Sequence, residues 1–394
     1  MIHVCGHADF FKNNRWFGGT DLQMIDQMAN NASRVRRMID LHGESRVEDF
    51  LDICYSLENL VDPYLAHIKR KSPVRHEDDK DPTKQPIPKL KSNDYMDRFI
   101  NTKDFLDLQK RKQEESKRKS KLFPEDPDRD ILGFLVDHAP MERWQRDVLG
   151  MVREEANYFS PQRMTKIMNE GWATKIHSMF MTTGLADHSE IIDYCDSQSR
   201  AIATNGQSLN PYRLGLHLYK DIEDRWNKGK FGPEWDRCED LVKRHQWDLK
   251  LGLGKEKIFQ VRKTHNDLTF IDEFLTPEFC AENQLFSFKM NDFSHTEIQR
   301  EFVKVKDQLL KMLANGGSPV IQVANANHDN KGELKLEHVA DGQELDYKKA
   351  KATMQSLFKV WTRPVHVETI QLEGETQKKV LWSYDGSTHA SKVL

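Results

Sequence analysis

The chain has 394 residues, of which 31% are charged, and its positive and negative side chains nearly balance to a formal net charge of -3. This balance excludes a strongly basic protein and argues against nucleic acid as a partner. No stretch reaches the roughly 20 apolar residues that a membrane span needs, so we expect no membrane span and a cytoplasmic location. Five scattered cysteines lack metal-type spacing, and we expect reduced, mostly buried thiols at Cys5, Cys54, Cys195, Cys238 and Cys280.

The chain begins with a histidine pair that lies four residues apart, at His3 and His7. On a helix this spacing places both imidazoles on one face, where they can reach one metal ion. Phe10, Phe11 and Asn14 extend the same face. Two interpretations stay open, a metal site and a pair of ordinary core histidines.

Two amphipathic helices are predicted next. A capping box at Thr20 begins a helix over 21–42, and Gly43 is placed to end it. A second capping box at Ser45 begins another helix, which Pro63 ends. We expect the two helices to pack as a hairpin.

A charged insertion follows these helices. Lys69 to Ser92 is rich in Lys, Asp and Pro, and it carries too little apolar surface to fold alone, so we predict a linker or mobile insertion. Gln109 to Lys121 is nearly all charged or polar. That run is either a solvated or disordered segment or a docking surface for protein partners.

A helix is predicted over about 141–159, with Glu155 in the middle of its apolar face and Glu154 at the edge of that face. A carboxylate on an apolar face must pair, bind metal or become protonated, because an isolated buried charge is costly. Glu155 therefore either forms a salt bridge, with Arg153 or Arg163, or acts as a catalytic carboxylate.

Another helix is predicted to begin at Ser160, as the N-cap, and Pro161, as the first helical residue. Glu170 and His177 share the face opposite its apolar stripe, with the small Ala173 between them. This face is either exposed to solvent or lines a polar cavity.

The last part of the sequence has strand-like runs at Pro319–Val323, Glu333–Val339 and Val365–Ile370, and a helical period over Tyr347–Trp361. The predicted fold class is therefore mainly α with a small C-terminal α+β domain. Four segments are predicted: an N-terminal helical part of the core (1–67), a charged linker or insertion (68–128), the main helical core (129–317) and the α+β domain (318–394).

Four strings resemble, in order, the motifs of the stage V sporulation protein R family: HVCGHADFFKNN, REEANYFSPQRMTKIMNEGWA, NPYRLGLHLYKDIEDRW and LFKVWTRPVHVET. The resemblance implies a bacterial cytoplasmic protein that acts in spore cortex formation or in stationary-phase physiology. Family members similar to this chain carry a further segment before the histidine motif, so we expect that the usual N-terminal segment is missing here.

The His-x-x-x-His and Glu-Gly-Trp-Ala strings also resemble the ligand plan of glutamate-type zinc peptidases, which implies a zincin-like helical core. Carried onto this chain, the resemblance implies that His3, His7 and Glu170 bind zinc. His177 is then a fourth ligand or a neighbour of the ligands.

The general base of such peptidases is a glutamate directly after the first histidine, and this chain has Val4 at that position. We predict that Glu155 activates water instead, with its pKa raised by apolar neighbours and Glu154 as its substitute. The first hypothesis is thus a zinc-dependent hydrolase acting on peptide or cell-wall-related amide bonds. The second is a non-catalytic regulatory or scaffold protein whose metal, if any, is structural.

Overall fold

Two groups of contacts organise the residues that the computed structural model describes, which are 1–68, 102–119, 122–187, 189–203, 209–285, 287–291, 295–299, 301–373 and 376–394. The first unit contains Met1–Leu22 and Tyr158–Ser318, and the second contains Gln23–Asn157 and Pro319–Leu394. Each unit is therefore assembled from two separate stretches of sequence. The linker predicted from Lys69 to Ser92 lies outside the described residues.

The helices, in chain order, are α1 (Ile2–Asn13), α2 (Met24–His42), α3 (Glu44–Ser56), α4 (Lys103–Lys119), α5 (Ile131–His138), α6 (Arg143–Met164), α7 (Lys166–Phe180), α8 (Glu190–Ala201), α9 (Pro211–Lys228), α10 (Pro233–Asp236), α11 (Leu241–Gln246), α12 (Gly254–Thr264), α13 (Asp267–Phe274), α14 (Pro277–Glu282), α15 (Phe302–Leu313) and α16 (Tyr347–Trp361). The strands are β1 (Ser287–Asn291), β2 (His295–Gln299), β3 (Ile321–His328), β4 (Glu333–His338), β5 (Val365–Glu373), β6 (Thr376–Tyr384) and β7 (His389–Val393). The predicted fold class, mainly helical with a small C-terminal α+β part, is confirmed. In the described ranges, every helix is too short or too polar to cross a membrane.

Helix α7 lies at the centre of the first unit, between α1 and α9. Its residues from Ile167 to Thr174 are all buried, so the helix is covered on every side over two turns. Where α7 meets α9, a Cβ atom on Gly171 would lie 2.3 Å from the carbonyl carbon of Gly215. Only glycine permits this approach of two helix backbones. Large side chains fill the core around the crossing, among them Phe10, Trp172, Tyr219, Phe270, Phe274 and Phe279.

The second unit packs helices on a five-stranded sheet of order β3-β4-β5-β6-β7. Strands β4 and β5 are parallel and the other pairs are antiparallel, so α16 supplies the crossover that a parallel pair requires. Along β5, Val365 and Val367 are buried in the core, whereas His366 and Glu368 alternate with them and point to the other face. The prediction of α16 is correct to the residue, but β6 and β7 were not predicted.

Both predicted capping boxes are wrong. Helix α2 begins at Met24, because the Thr20 hydroxyl donates its hydrogen bond to the Phe17 carbonyl instead of capping a helix. Helix α3 begins one residue before Ser45, directly after Gly43, and it ends at Ser56 rather than before Pro63. The hairpin of α2 and α3 is present, and Gly43 joins them with φ 89°.

The helix break predicted at Ser160 is also wrong, since α6 continues through Pro161 to Met164. Proline removes one backbone donor from a helix interior, a cost that tertiary packing can outweigh, and both Ser160 and Pro161 are buried. The Thr165 hydroxyl donates to the Pro161 carbonyl at 2.6 Å, and the chain turns at Thr165.

Two smaller predictions concern exposure. The predicted charged run lies on α4 from Gln109 to Lys119, with described side chains that are mostly exposed, as expected of a solvated helix, and its last two residues lie outside the described ranges. All five cysteines are free thiols. Cys54 and Cys280 are buried, Cys238 is partly exposed, and Cys5 and Cys195 are exposed, so the prediction of mostly buried thiols is wrong.

Candidate metal centre

Helix α1 lies unusually close to α7, and the contact falls between its two histidines. A Cβ atom on Gly6 would lie 2.7 Å from the Cα atom of Ala173. Gly6 separates His3 from His7, and Ala173 separates Glu170 from His177. The absence of a side chain at Gly6 therefore lets both imidazoles approach the carboxylate face of α7.

The C-terminal half of α1 is fixed by a partly buried polar network. The indole of Trp172 donates to Asp9 Oδ2 at 2.9 Å, and Arg262 of α12 forms an ion pair with the same oxygen. The Arg262 guanidinium also lies over the Trp172 ring, 5.0 Å from its centroid. The Asn14 side chain donates to the carbonyls of Arg262 (2.7 Å) and His265 (2.9 Å). Polar networks of this kind hold neighbouring helices in one arrangement.

A carboxylate from α13 fixes the beginning of α7. Asp267 is buried, and its oxygens accept from the backbone N–H groups of Ile167 (2.8 Å) and Met168 (2.9 Å). Burial raises the pKa of Asp267 to about 7, although these backbone hydrogen bonds oppose the rise. Because the bonded N–H groups belong to the first turn, they set the orientation in which α7 presents Glu170 to α1.

Glu170 lies between the two histidines of α1. Its Oε2 atom is 3.5 Å from His7 Nε2 and 3.7 Å from His3 Nε2, and the three ligand atoms all lie within 4.8 Å of one another. Glu170 is 6% exposed, so the alternative of a solvent-exposed face is wrong. Over the part of the chain that the structure describes, these residues form the one cluster of His, Cys, Asp and Glu with metal-ligand spacing.

The two carboxylate oxygens of Glu170 differ in their partners. Lys166, one turn earlier on α7, donates to Oε1 at 2.6 Å. The Oε2 atom is buried and has no hydrogen-bond partner among the described residues. A buried carboxylate oxygen without a partner costs free energy, and a cation between Oε2 and the two imidazoles would remove that cost. The donor set thus fits a metal ion.

Both histidines direct Nε2 towards Glu170. The side-chain amide oxygen of Asn169 lies 2.8 Å from His7 Nδ1, an arrangement in which Nδ1 donates to Asn169 and orients Nε2 towards Glu170. The pKa of His3 is lowered, first by burial and then by His7. A lowered pKa keeps the His3 imidazole neutral, as ligation requires.

Two more aromatic side chains surround His3. The His177 ring lies 5.9 Å from the His3 ring, between centroids, and burial lowers the pKa of His177. His177 is thus beside a candidate ligand but outside the group of three. The ring of Tyr212, from α9, is stacked on His3 at 6.3 Å. The pKa of Tyr212 is raised, first by burial and then by the Glu170 carboxylate.

The predicted catalytic carboxylates Glu155 and Glu154 belong to the second unit. The pKa of Glu155 is raised by burial, in the predicted direction, while hydrogen bonds from Asn31 and Tyr55 oppose the rise. Arg153 pairs with Asp130 at 2.6 Å, so the predicted salt bridge to Arg153 is wrong. Arg163 donates a hydrogen bond to Ser160. Glu154 is exposed.

The sequence did not single out four residues that support the centre, Asp9, Lys166, Asn169 and Tyr212. All four lie inside the strings that carry the family resemblance, which was the available signal. Nothing in the spacing of Tyr212 pointed to His3, because the contact depends on the close crossing of α7 and α9.

Comparison with known proteins covers nearly the whole chain. A family model described as "SpoVR like protein" matches residues 1–318, and one described as "SpoVR-like C-terminal domain" matches residues 319–372. A relative from Escherichia coli (strain K12), described as "Uncharacterized protein YcgB", is 24% identical over 406 residues, which cover 96% of this chain and 74% of the relative. No solved structure matches.

Proposed function

The chain belongs to the SpoVR-like protein family, and we propose that it is a zinc-dependent hydrolase whose metal ligands are His3, His7 and Glu170. The observation that carries the proposal is the buried Glu170 Oε2, which has no hydrogen-bond partner in the described part of the chain and faces two imidazole nitrogens at 3.5 and 3.7 Å. Two histidines and a carboxylate with one position left open are typical of catalytic rather than structural zinc sites.

The side chains around the ligands have separable roles in this proposal. Asn169 holds the His7 ring with Nε2 towards the metal, and Lys166 occupies Oε1 of Glu170 so that Oε2 is left for ligation. Tyr212 covers His3 and places a phenol close to the carboxylate. Zinc held there would supply Lewis-acid chemistry suited to cleaving an amide bond.

The general base stays a prediction. Val4, which stands where glutamate-type peptidases have their base, is 65% exposed on α1 and cannot transfer a proton. Glu155, with Glu154 as its substitute, is retained because a carboxyl with a raised pKa suits a general base near neutral pH. Its hydrogen-bond partners Asn31 and Tyr55 belong to the second unit, as Glu155 itself does.

The substrate class that we propose is a peptide or cell-wall-related amide, and the setting is spore cortex formation or stationary-phase physiology in the cytoplasm. The family description supports the link to sporulation. His177 is proposed as a neighbour that orders the ligands or the substrate.

Elemental analysis of the purified full-length protein tests the metal. We expect about one zinc per chain, lost in His7→Ala and in Glu170→Gln. His245→Ala is the matched control, because His245 is exposed on α11, outside the ligand group. If the parent holds no stoichiometric metal, and both ligand variants fold as well as the parent, the metallohydrolase is wrong and a non-catalytic regulatory or scaffold role remains.

A second experiment tests the base. Glu155→Gln should abolish hydrolysis of a peptide or cell-wall fragment while zinc stays bound, with Glu154→Gln as the comparison. Loss of zinc from Glu155→Gln would instead make Glu155 a ligand.

A further inference from the structure

A second cluster of reactive side chains lies in the second unit, on the sheet face opposite the core. Ser383 Oγ is 2.8 Å from His366 Nδ1, and His366 Nε2 is 2.9 Å from Glu333 Oε2. The three residues come from the adjacent strands β6, β5 and β4. His366 lies within the RPVHVET string, which the proposed metal centre does not use.

The direction of both hydrogen bonds follows from the chemistry of the groups. An ionised carboxylate only accepts, so His366 Nε2 must carry a proton and donate it to Glu333. In a neutral imidazole the other nitrogen is then an acceptor, and Ser383 donates its hydroxyl proton to His366 Nδ1. This is the order of a hydroxyl nucleophile, a base and a carboxylate that orients the base.

Strand pairing holds the side chains of Ser383, His366 and Glu333 in place. His366 is directly opposite Ser383 in the antiparallel pair of β5 and β6, and it is opposite Lys335 in the parallel pair of β4 and β5. The side chains of His366 and Glu333 are 12% and 16% exposed, so the base is largely shielded from water without being sealed. The His328 ring packs edge-on against His366, 5.0 Å between centroids. Groups on a rigid sheet keep the alignment that proton transfer needs.

We propose that Ser383, His366 and Glu333 form a second reactive site, which transfers acyl groups from esters through a Ser383 acyl intermediate. Ser383 Oγ bonds to the acyl carbon while its proton moves to His366 Nδ1, and the ester C–O bond breaks as that proton passes to the leaving alcohol. Water then attacks the acyl carbon, gives a proton to His366, and releases the acid as the proton returns to Ser383. Glu333 is a positioning residue that fixes the His366 ring.

The test uses the purified full-length protein and a fluorophosphonate probe, which bonds to an activated serine as fluoride and a proton leave. We expect stoichiometric modification of Ser383, located by mass spectrometry. Ser383→Ala should abolish it, and His366→Asn should slow it by about 100-fold or more. Ser391→Ala is the matched control, because Ser391 is an exposed serine on β7 of the same sheet.

Glu333→Gln keeps the shape of the side chain and tests the positioning role by spectroscopy. In the parent, the nitrogen NMR shifts of His366 should show the tautomer protonated at Nε2, and this preference should be lost in Glu333→Gln. Modification of Ser383 no faster than of Ser391, or unchanged in His366→Asn, would overturn the proposal and leave a cross-strand hydrogen-bond row. Modification of Ser383 should be equal in His7→Ala and in the parent, so the test of this site is independent of the test of the metal centre.

Discussion

Substituting Gly6 tests the approach of α1 to α7 on which the metal centre depends. In Gly6→Ala the added Cβ meets the Ala173 Cα at 2.7 Å, which is backbone and cannot rotate away. Overpacking of this kind costs about 1–3 kcal/mol, and the better helix propensity of alanine returns roughly 0.5–1 kcal/mol. We therefore expect a net loss of up to about 2.5 kcal/mol.

Gly150 and Gly171 provide two comparisons for Gly6→Ala within the same protein. A Cβ on Gly150, in the interior of α6, meets nothing within 4 Å, so Gly150→Ala should stabilise the protein by about 0.5–1 kcal/mol. A Cβ on Gly171 meets the Gly215 backbone at 2.3 Å, so Gly171→Ala should be worse than Gly6→Ala.

Thermal unfolding in the presence of a chelator measures the stabilities of the three glycine variants without any contribution from metal. A change of 1 kcal/mol corresponds to roughly 2–4 °C in a unit of this size. Zinc titration then measures the affinity of the metal centre. Gly6→Ala should bind zinc at least about tenfold more weakly than the parent, because both histidines move away from Glu170. If Gly6→Ala unfolds at a higher temperature than the parent, as Gly150→Ala should, α1 does not lie against α7 as described.

Three further predictions concern residues around the centre. Because the pKa of Asp267 is higher in the folded protein, about 7, than the roughly 3.9 of an unfolded chain, its protonation stabilises the fold, and this contribution is lost as pH rises through about 7. Urea unfolding at pH 5 and pH 8 should show this loss in the parent and not in Asp267→Asn. Asn169→Ala should weaken zinc binding about 10–100-fold while leaving all ligands in place, and affinity equal to the parent would show that Asn169 does not orient His7. Asn14→Ala should cost about 2–3 kcal/mol in urea unfolding, since two backbone carbonyls lose a buried donor, and a loss below about 0.5 kcal/mol would contradict the network.

The sequence predicted those features that depend on local periodicity. Helix α16 follows from its apolar period, and the pairing of His3 with His7 follows from the geometry of a single helix turn. The grouping of Glu170 with that pair came from a family resemblance, not from spacing, because a contact across more than 160 residues leaves no local pattern.

Predictions failed where a side chain had two competing partners. The Thr20 hydroxyl satisfies a carbonyl behind it, so it does not cap the helix ahead. Ser160 and Pro161 have the residue types of a helix start, yet they are buried inside α6, and the break moved to Thr165. The capping of α7 by Asp267, which lies 100 residues further along the chain, could not be predicted, because such a contact leaves no local pattern in the sequence. Burial decides such cases, and burial is a property of the folded chain.

The interleaved order of the two units has a consequence for fragments and gene rearrangement. The two family models meet at Ser318, but the core of the second unit joins residues on both sides of that point, such as Phe50 and Ile131 with Val323 and Leu334. A cut there leaves an apolar sheet face without its helices, a surface that favours aggregation. Exchanging the C-terminal segment between relatives should succeed only when α3 and α5 are exchanged with it, because the second unit crosses the boundary between the two sequence modules.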